Sequence, residues 1–442
     1  MKIQLIILVF FAQISLAQTS GLKIAERLPG LSDSALLDIV QKQTVKYFWD
    51  FAHPVSGLAR ERSNEAYNYG AEVVTSGGTG FGVMAIIVAV ERKWISRDTA
   101  ARHLLKMVNF LLKSDSYHGV FPHWLNGSTG KTIPFSRKDD GADLVETAYL
   151  FQGLLCVRQY FTGDNKTERE LRNRIGWMWN DIEWNWFTKN ENVLYWHWSP
   201  NNGWAMDFPI KGFNECLITY ILAASSERYP VSADVYHKGW AQSNFFRNGK
   251  TFYGYTLPLG FDFGGPLFFS HYSFLGLDPR GLKDIYADYW KQNQNHTLIN
   301  YSYCVENPKK FKGYGPDCWG LTAGDTYNGY NAYSPENDGG TITPTAALSA
   351  FPYTPDKSMK ALRHFYYDLG DKIWTEYGFV DGFNESRNWY ATSHLAIDQG
   401  PIIVMIENYR TGLLWNLFMS APEIKKGLQK LGFRVGEGVR KP

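Results

Sequence analysis

The sequence predicts an all-α fold, an (α/α)6 toroid of alternating inner and outer helices with long loops at one mouth. Two observations carry this expectation. Helix-length segments that are apolar all round alternate with amphipathic ones along the chain. A helix apolar on every side is buried on every side, whereas an amphipathic helix keeps a solvent face. The longest irregular stretches, Ser116–Asp143, Asn190–Asn214 and Tyr301–Thr341, come just before apolar segments. They therefore gather at one end of the ring, around the inner-helix N-termini, where loops on a rigid scaffold carry function.

Taken in order, SALLDIVQKQTVKYFWDFA (Ser34–Ala52) reads as an opening helix with Asp33 or Ser34 as its cap. Apolar GGTGFGVMAIIVAVERKW precedes amphipathic RDTAARHLLKMVNFLLKSD. Apolar ADLVETAYLFQGLLCVRQYF precedes amphipathic TERELRNRIGWMWNDIEWNWF, and NECLITYILAASSERY precedes the mixed SADVYHKGWAQSNFF. GPLFFSHYSFLGL, TPTAALSAF and QGPIIVMIENYR open the last three pairs. The pattern predicts a single closed ring over about Leu31 to Gly432, one domain within 18–442.

Ahead of it, MKIQLIILVFFAQISLA has one Lys, an apolar run and the small-x-small site Ser15-Leu16-Ala17. This reads as a cleavable secretory signal over 1–17, too short to span a bilayer. The expectation is a periplasmic or secreted protein with no membrane insertion. Net charge is +2 over 442 residues, which leaves no electrostatic footprint for nucleic acid or a membrane surface. The 16 Trp, 27 Tyr and 28 Phe suit either a large aromatic core or a cleft that stacks flat apolar ligand faces. Of the cysteines, Cys156 and Cys216 lie in apolar runs, and Cys304 and Cys318 flank a loop. Whether that second pair is bridged stays open.

The chemistry concentrates in SRKDDGADLVETAYL, where Asp139, Asp140, Asp143 and Glu146 fall within eight residues. Asp143 and Glu146, three apart, share a helix face. Acids cap and stabilise a first helical turn, which accounts for Asp140 or Asp143. It accounts poorly for Glu146, whose neighbours Leu144, Val145, Ala148 and Leu150 are apolar. A carboxylate held there is paired, protonated or used. Crowded carboxyls split their pKa values, and cleavage of a glycosidic bond needs one protonated and one ionised carboxyl. The tetrapeptide Gly-Phe-Asn-Glu occurs twice, ending at Glu215 and at Glu385. Glu215 is expected in the first turn of an inner helix, capped by Asn214. Glu385 is expected in an extended mouth loop, so the repeat is not structural. The histidines show no i,i+4 pair, and no Gly-x-Ser-x-Gly, Walker or dinucleotide fingerprint sits in its required context.

KDDGADLVETAYLFQGLL, GWAMDFPIKGFNECLITYILAASS, CWGLTAGD, DGGTITPTAALSAFPYTPDKSMKAL, GFVDGFNES and IDQGPIIVMIENYRTGLLWNLFM together resemble the bacterial glucoamylase-like domain, and most of all glycoside hydrolase family 144, a β-1,2-glucan-degrading group. The blocks run from about Val40 to Pro422. The resemblance implies an (α/α)6 barrel with an acidic cleft and hydrolysis of β-1,2-linked glucan, either endo-acting or exo-acting with release of sophorose. It places catalytic carboxylates at Asp139, Asp143, Glu146 and Glu215, with Asp398 as a weaker, site-shaping position. Trp124, Trp196, Trp204, Tyr314 and Trp389 lie in mouth loops and are expected to stack on sugar rings, with Glu385 beside them. An oligo- or polysaccharide is the expected partner. The expected cofactor set is empty, with no metal, and the expected state is a monomer. The stereochemistry expected is inversion, because Glu215 and the Asp139–Glu146 cluster come from different inner helices. Two other readings remain: a hydrolase of an α-linked glucan on the same fold, and a non-catalytic glycan-binding protein.

Overall fold

The computed structural model describes residues 23–64 and 70–436; the expected signal segment, 1–17, lies outside the described residues. Helix α1 (Asp33–Trp49) opens the ring, capped by Ser32, whose Oγ accepts from the Ala35 amide at 3.3 Å. The cap therefore sits one residue ahead of the expected pair. Helices α2 (Ser76–Glu91), α4 (Leu144–Tyr160) and α6 (Leu217–Ser225) are buried almost throughout. Between them α3 (Arg97–Leu111) and α5 (Lys166–Asp181) bury one face only. Then follow α7 (Tyr289–Glu306), α8 (Pro344–Leu348), α9 (Pro355–Arg363), α10 (Gly370–Ile373), the largely buried α11 (Ala396–Arg410), α12 (Leu413–Ser420) and α13 (Pro422–Lys430).

The inner ring closes through neighbour contacts. α2 packs on α4 and on α11, α4 on α6, α6 on the turns at 272–274, and α8 on α11. A bond of 2.7 Å between Ser349 Oγ and His271 Nδ1 ties α8 to the same turns. Around this ring α1, α5 and α9 lean on α2, α4 and α8. The all-α toroid expected from the alternation is the architecture found. Strands are short. β1 (Val73–Thr75), β2 (Trp124–Asn126) and β3 (Thr132–Ile133) form an antiparallel sheet with Thr75 opposite Trp124. β4 (Ala142–Asp143) pairs with β5 (His197–Trp198), setting Asp143 opposite His197.

Three elements depart from expectation. GPLFFSHYSFLGL is two 3-10 turns, Leu267–Ser270 and Tyr272–Phe274, not a helix. Gly264, Gly265 and Pro266 precede the first turn, and the segment's polar side chains bond sideways. Ser270 Oγ meets His296 Nδ1 at 2.8 Å, and Ser273 Oγ donates to the Glu215 carbonyl at 2.5 Å. SADVYHKGWAQSNFF contributes a single π turn, Val235–Trp240, where Gly239 lies so close to the Asn192 carbonyl that a Cβ would overlap it. Glu215 lies two residues ahead of α6 instead of in its first turn, and Asn214 Oδ1 accepts from the Cys216 amide at 3.0 Å. Cys304 and Cys318 are free, buried thiols; Cys304 is packed inside α7, while Cys318 faces other donors. Among the described residues no helix is long and apolar enough to cross a membrane.

Where α2 crosses α4, Gly80 faces the backbone of Tyr149 and Leu150, and Gly153 faces the carbonyl of Gly80. A Cβ at either place would overlap backbone, which cannot move aside as a side chain can. Gly80→Ala should cost about 2 kcal/mol or more through forced separation of the helices. Gly176→Ala in α5, where a Cβ meets nothing within 4 Å, should instead stabilise by about 0.5–1 kcal/mol. Chemical denaturation of the two variants checks the contrast; equal effects would refute the tight crossing.

Candidate active site

The inner-helix N-termini converge on a cavity of about 430 Å³. Two acids from different inner segments, Glu146 and Glu215, line it. The remaining wall includes Glu61, Arg62, Thr75, His123, Trp124, Phe135, Tyr149, Trp196, Phe268, Tyr272 and Tyr330. Glu146 stands in the first turn of α4. Its Oε2 accepts from the Gly77 amide at 2.9 Å and faces the Thr75 hydroxyl at 3.4 Å. The N-terminus of α2 is thus aimed at the carboxylate, the usual way a helix start holds an anion. A Cβ at Gly77 would overlap Glu146 Oε2, so only glycine there permits the contact.

Asp143 is the N-cap of α4. Its Oδ1 accepts from the amides of Val145 (3.0 Å) and Glu146 (2.9 Å) and from Trp196 Nε1 (2.9 Å). Its Oδ2 lies 3.1 Å from His123 Nδ1 and 3.6 Å from His197 Nε2. His197 Nε2 also lies 3.3 Å from Asp139 Oδ2, and His123 Nε2 lies 3.9 Å from Glu146 Oε1. Asp139 and Asp143 therefore stand behind the wall as partners of two imidazoles, and Glu146 is the member of the cluster that reaches the cavity. Asp140 accepts from Asn201 Nδ2 at 2.8 Å and ties one loop to another.

These positions set the charges. Burial disfavours charge on Asp143, but hydrogen bonds and positive charge from His123 and His197 outweigh it and hold the carboxyl far below its ordinary range. Burial likewise disfavours the imidazolium forms of His123 and His197. The facing carboxylates overcome this and push both pKa values up to about 9. Burial raises Glu146, and neighbouring Asp143 adds to the rise, against the opposing pull of His123. Glu215 is raised to about 7, first by burial, with the Glu146 charge adding to it. Among the described residues no group donates to its buried Oε2. The cavity thus holds a carboxyl that keeps its proton near neutrality beside one flanked by an imidazolium.

The opposite wall is a second network. Arg62 Nη1 donates to Asp325 Oδ2 and Arg62 Nε to Glu61 Oε2, both at 2.8 Å. Asp381 Oδ2 accepts from the Asp325 amide at 2.5 Å. Tyr272 donates its hydroxyl to Asp398 Oδ1 at 3.3 Å. Asp398 is buried behind Tyr272 rather than in the wall. Burial raises it to about 7, and burial plus the Asp398 charge raises Asp381 well above the carboxyl range.

Of the expected stacking residues, Trp124 and Trp196 border the cavity. Three others do not, because their loops fold back on the protein. Trp204 packs on Trp186, ring centroids 4.8 Å apart. The Tyr314 hydroxyl donates to Asp338 Oδ1 at 2.8 Å, and Trp389 lies in a short hairpin with Asn384. Glu385 sits on that same hairpin, outside the cavity. His123, His197, Glu61, Arg62, Tyr272 and Tyr330 escaped the sequence reading, which sought histidines at helical spacing. The available signal was a His-Trp step in each of two mouth loops, His123-Trp124 and His197-Trp198.

If the imidazole network is as described, the C–H resonances of His123 and His197 should titrate near pH 9 in NMR. Both should fall toward ordinary values in Asp143→Asn. The sign follows from linkage: the stabilisation is full below the unfolded histidine pKa, about 6.5, and is lost as pH rises through about 9. Ordinary titration in the unsubstituted protein would contradict the network.

Comparisons with known proteins bear on this arrangement. A family model described as "Putative glucoamylase" matches residues 207–422. An exo β-1,2-glucooligosaccharide sophorohydrolase of Parabacteroides distasonis is 45% identical over 423 residues, 91% of this chain. The chain spans 58% of that relative's length. A crystal structure of a "putative glucoamylase" from Bacteroides uniformis superposes with a TM-score of 0.91 at 62% identity, covering 92% of this chain and 99% of the other. An endo-β-1,2-glucanase from Chitinophaga pinensis superposes with a TM-score of 0.89 at 55% identity, covering 92% and 99%. With nearly the whole length of two solved relatives matched at this identity, the chain belongs to the glucoamylase-like family, glycoside hydrolase family 144.

Proposed function

We propose that this protein hydrolyses β-1,2-linked glucan, with Glu215 as general acid and Glu146 as the carboxylate that activates water. The observation that carries the roles is the pairing of two glutamates with opposite surroundings in one aromatic-lined cavity. Among the described residues Glu215 has no cation beside it, and it is raised to about 7, which suits a proton donor at neutral pH. Burial and Asp143 raise Glu146, but the Gly77 amide at the start of α2 and the His123 imidazolium on its other side oppose that rise and act toward the charged state a base needs. Asp143 spends its oxygens on amides, Trp196 and two imidazoles, and acts by positioning. Two relatives of high identity are named for β-1,2-glucan cleavage, one exo-acting and one endo-acting, which supports the linkage.

Attack by water on the face opposite the leaving oxygen inverts the anomeric centre. Glu146 and Glu215 come from separate inner segments, a placement that suits a water between base and sugar. One chain supplies both glutamates and the wall, which supports a monomer as the acting unit. Secretion to the periplasm or beyond fits the N-terminal signal pattern and a polymeric substrate.

Incubation with a panel of β-1,2-, β-1,3-, β-1,4- and α-linked glucans tests the assignment. Reducing sugar should appear from the β-1,2 polymer alone, and release from an α-glucan or from none would overturn it. Product lengths assign endo or exo action. Glu215→Gln should lower kcat by roughly 10²–10⁴-fold. The alkaline limb of kcat/KM should fall through about pH 7, as Glu215 loses its proton, and proton NMR should show the α-anomer first. An initial β-anomer would establish retention.

A further inference from the structure

Away from the cavity, three chemically different donors from three distant parts of the chain meet. Cys318 Sγ, a His364 ring nitrogen and a Glu385 carboxylate oxygen lie within 4.8 Å of one another. Cys318 comes from the long loop after α7, His364 from the π turn His364–Asp368 that continues α9, and Glu385 from the Phe383–Tyr390 hairpin. His364 Nε2 is buried and has no hydrogen-bond partner among the described residues. His364 Nδ1 lies 2.8 Å from Asp368 Oδ2. A carboxylate only accepts, so in the neutral ring Nδ1 carries the proton and the free lone pair is on Nε2. Among the described residues no group donates a hydrogen bond to the Glu385 carboxylate. Gly313, at φ +90°, leaves room for it: a Cβ there would sit 2.5 Å from Glu385 Oε1.

We infer that Cys318, His364 and Glu385 form a binding site for a zinc-like divalent cation that pins two mouth loops to the outer ring. Thiolate, imidazole and carboxylate together suit zinc among the common divalent ions, and three protein donors leave the fourth tetrahedral position to water. Asp368 orients the imidazole from behind, as carboxylates behind metal-binding histidines do. The pinned segments lead to the cavity: Asp325, seven residues after Cys318, binds Arg62, and Asp381 precedes the hairpin that carries Glu385. None of the three donors lines the cavity, so the site is independent of the proposed reaction. The other grouping of donor residues, His123 with Asp139 and Asp143, is already satisfied internally by its own imidazole–carboxylate pairs.

The test is a titration of the chelator-treated, reduced full-length protein with Co²⁺. One equivalent should bind with a thiolate-to-cobalt charge-transfer band in the near ultraviolet, and Zn²⁺ should displace it. Zinc should also raise Tm. Cys318→Ser and His364→Gln should abolish the band, and Asp368→Asn should weaken binding by roughly 10–100-fold. The His364 side chain is 24% exposed, whereas Cys318 is buried, so the His364 variant keeps the test open if Cys318→Ser fails to fold. Absence of the band, cobalt bound without it, or a band unchanged in His364→Gln would overturn the inference.

Discussion

Helices α2 and α4 meet backbone to backbone, because Gly80 and Gly153 present no side chain where they cross. That approach carries the start of α2 up to the first turn of α4, and there the Gly77 amide reaches Glu146. Any side chain at the crossing would push the helix starts apart and expose the carboxylate to solvent. The ring packing and the site geometry are therefore one constraint, and a glycine-rich helix, poor by propensity, is kept by tertiary contact.

Around Glu146 the protein separates carboxyls by surroundings. Asp143 receives amides and imidazoles and is held ionised; Glu215 receives almost nothing and is held protonated near neutrality. His123 and His197 are charged because the acids behind them are, and those acids are charged because the imidazoles are present. Removing one member changes the others, so losses on substitution in this cluster should not add. Across the cavity, Arg62 balances Glu61 and Asp325, while Asp381 and Asp398 lie deeper, each with a pKa raised by burial and by neighbouring charge.

Much of the fold was legible in the residues. The contrast between VMAIIVAV in α2 and the one-sided pattern of α5 marks inner and outer helices, since burial on all sides demands apolar residues on all sides. The broken fourth inner segment was not legible. LFFSHYSF is apolar enough for a helix, and only the lateral bonds of Ser270, His271 and Ser273 to partners elsewhere show why it is two turns. Glu146 was recognisable as an acid among apolar neighbours. Asp143 looked equivalent to it, and the structure shows a cap tied to two imidazoles. The mouth-loop aromatics divide in the same way: Trp124 and Trp196 reach the cavity, while Trp204 turns inward onto Trp186.

By itself the sequence determined the helical alternation, the clustering of acids at one helix start and the family, because periodicity and motif are properties of neighbouring residues. Only the tertiary structure decided which acid faces the cavity, which carry protons, which aromatics line the wall and where Cys318, His364 and Glu385 meet. The physical reason is that burial and electrostatic field at an atom sum over groups far apart in the chain, such as His123, Asp143 and His197, and no local pattern contains that sum.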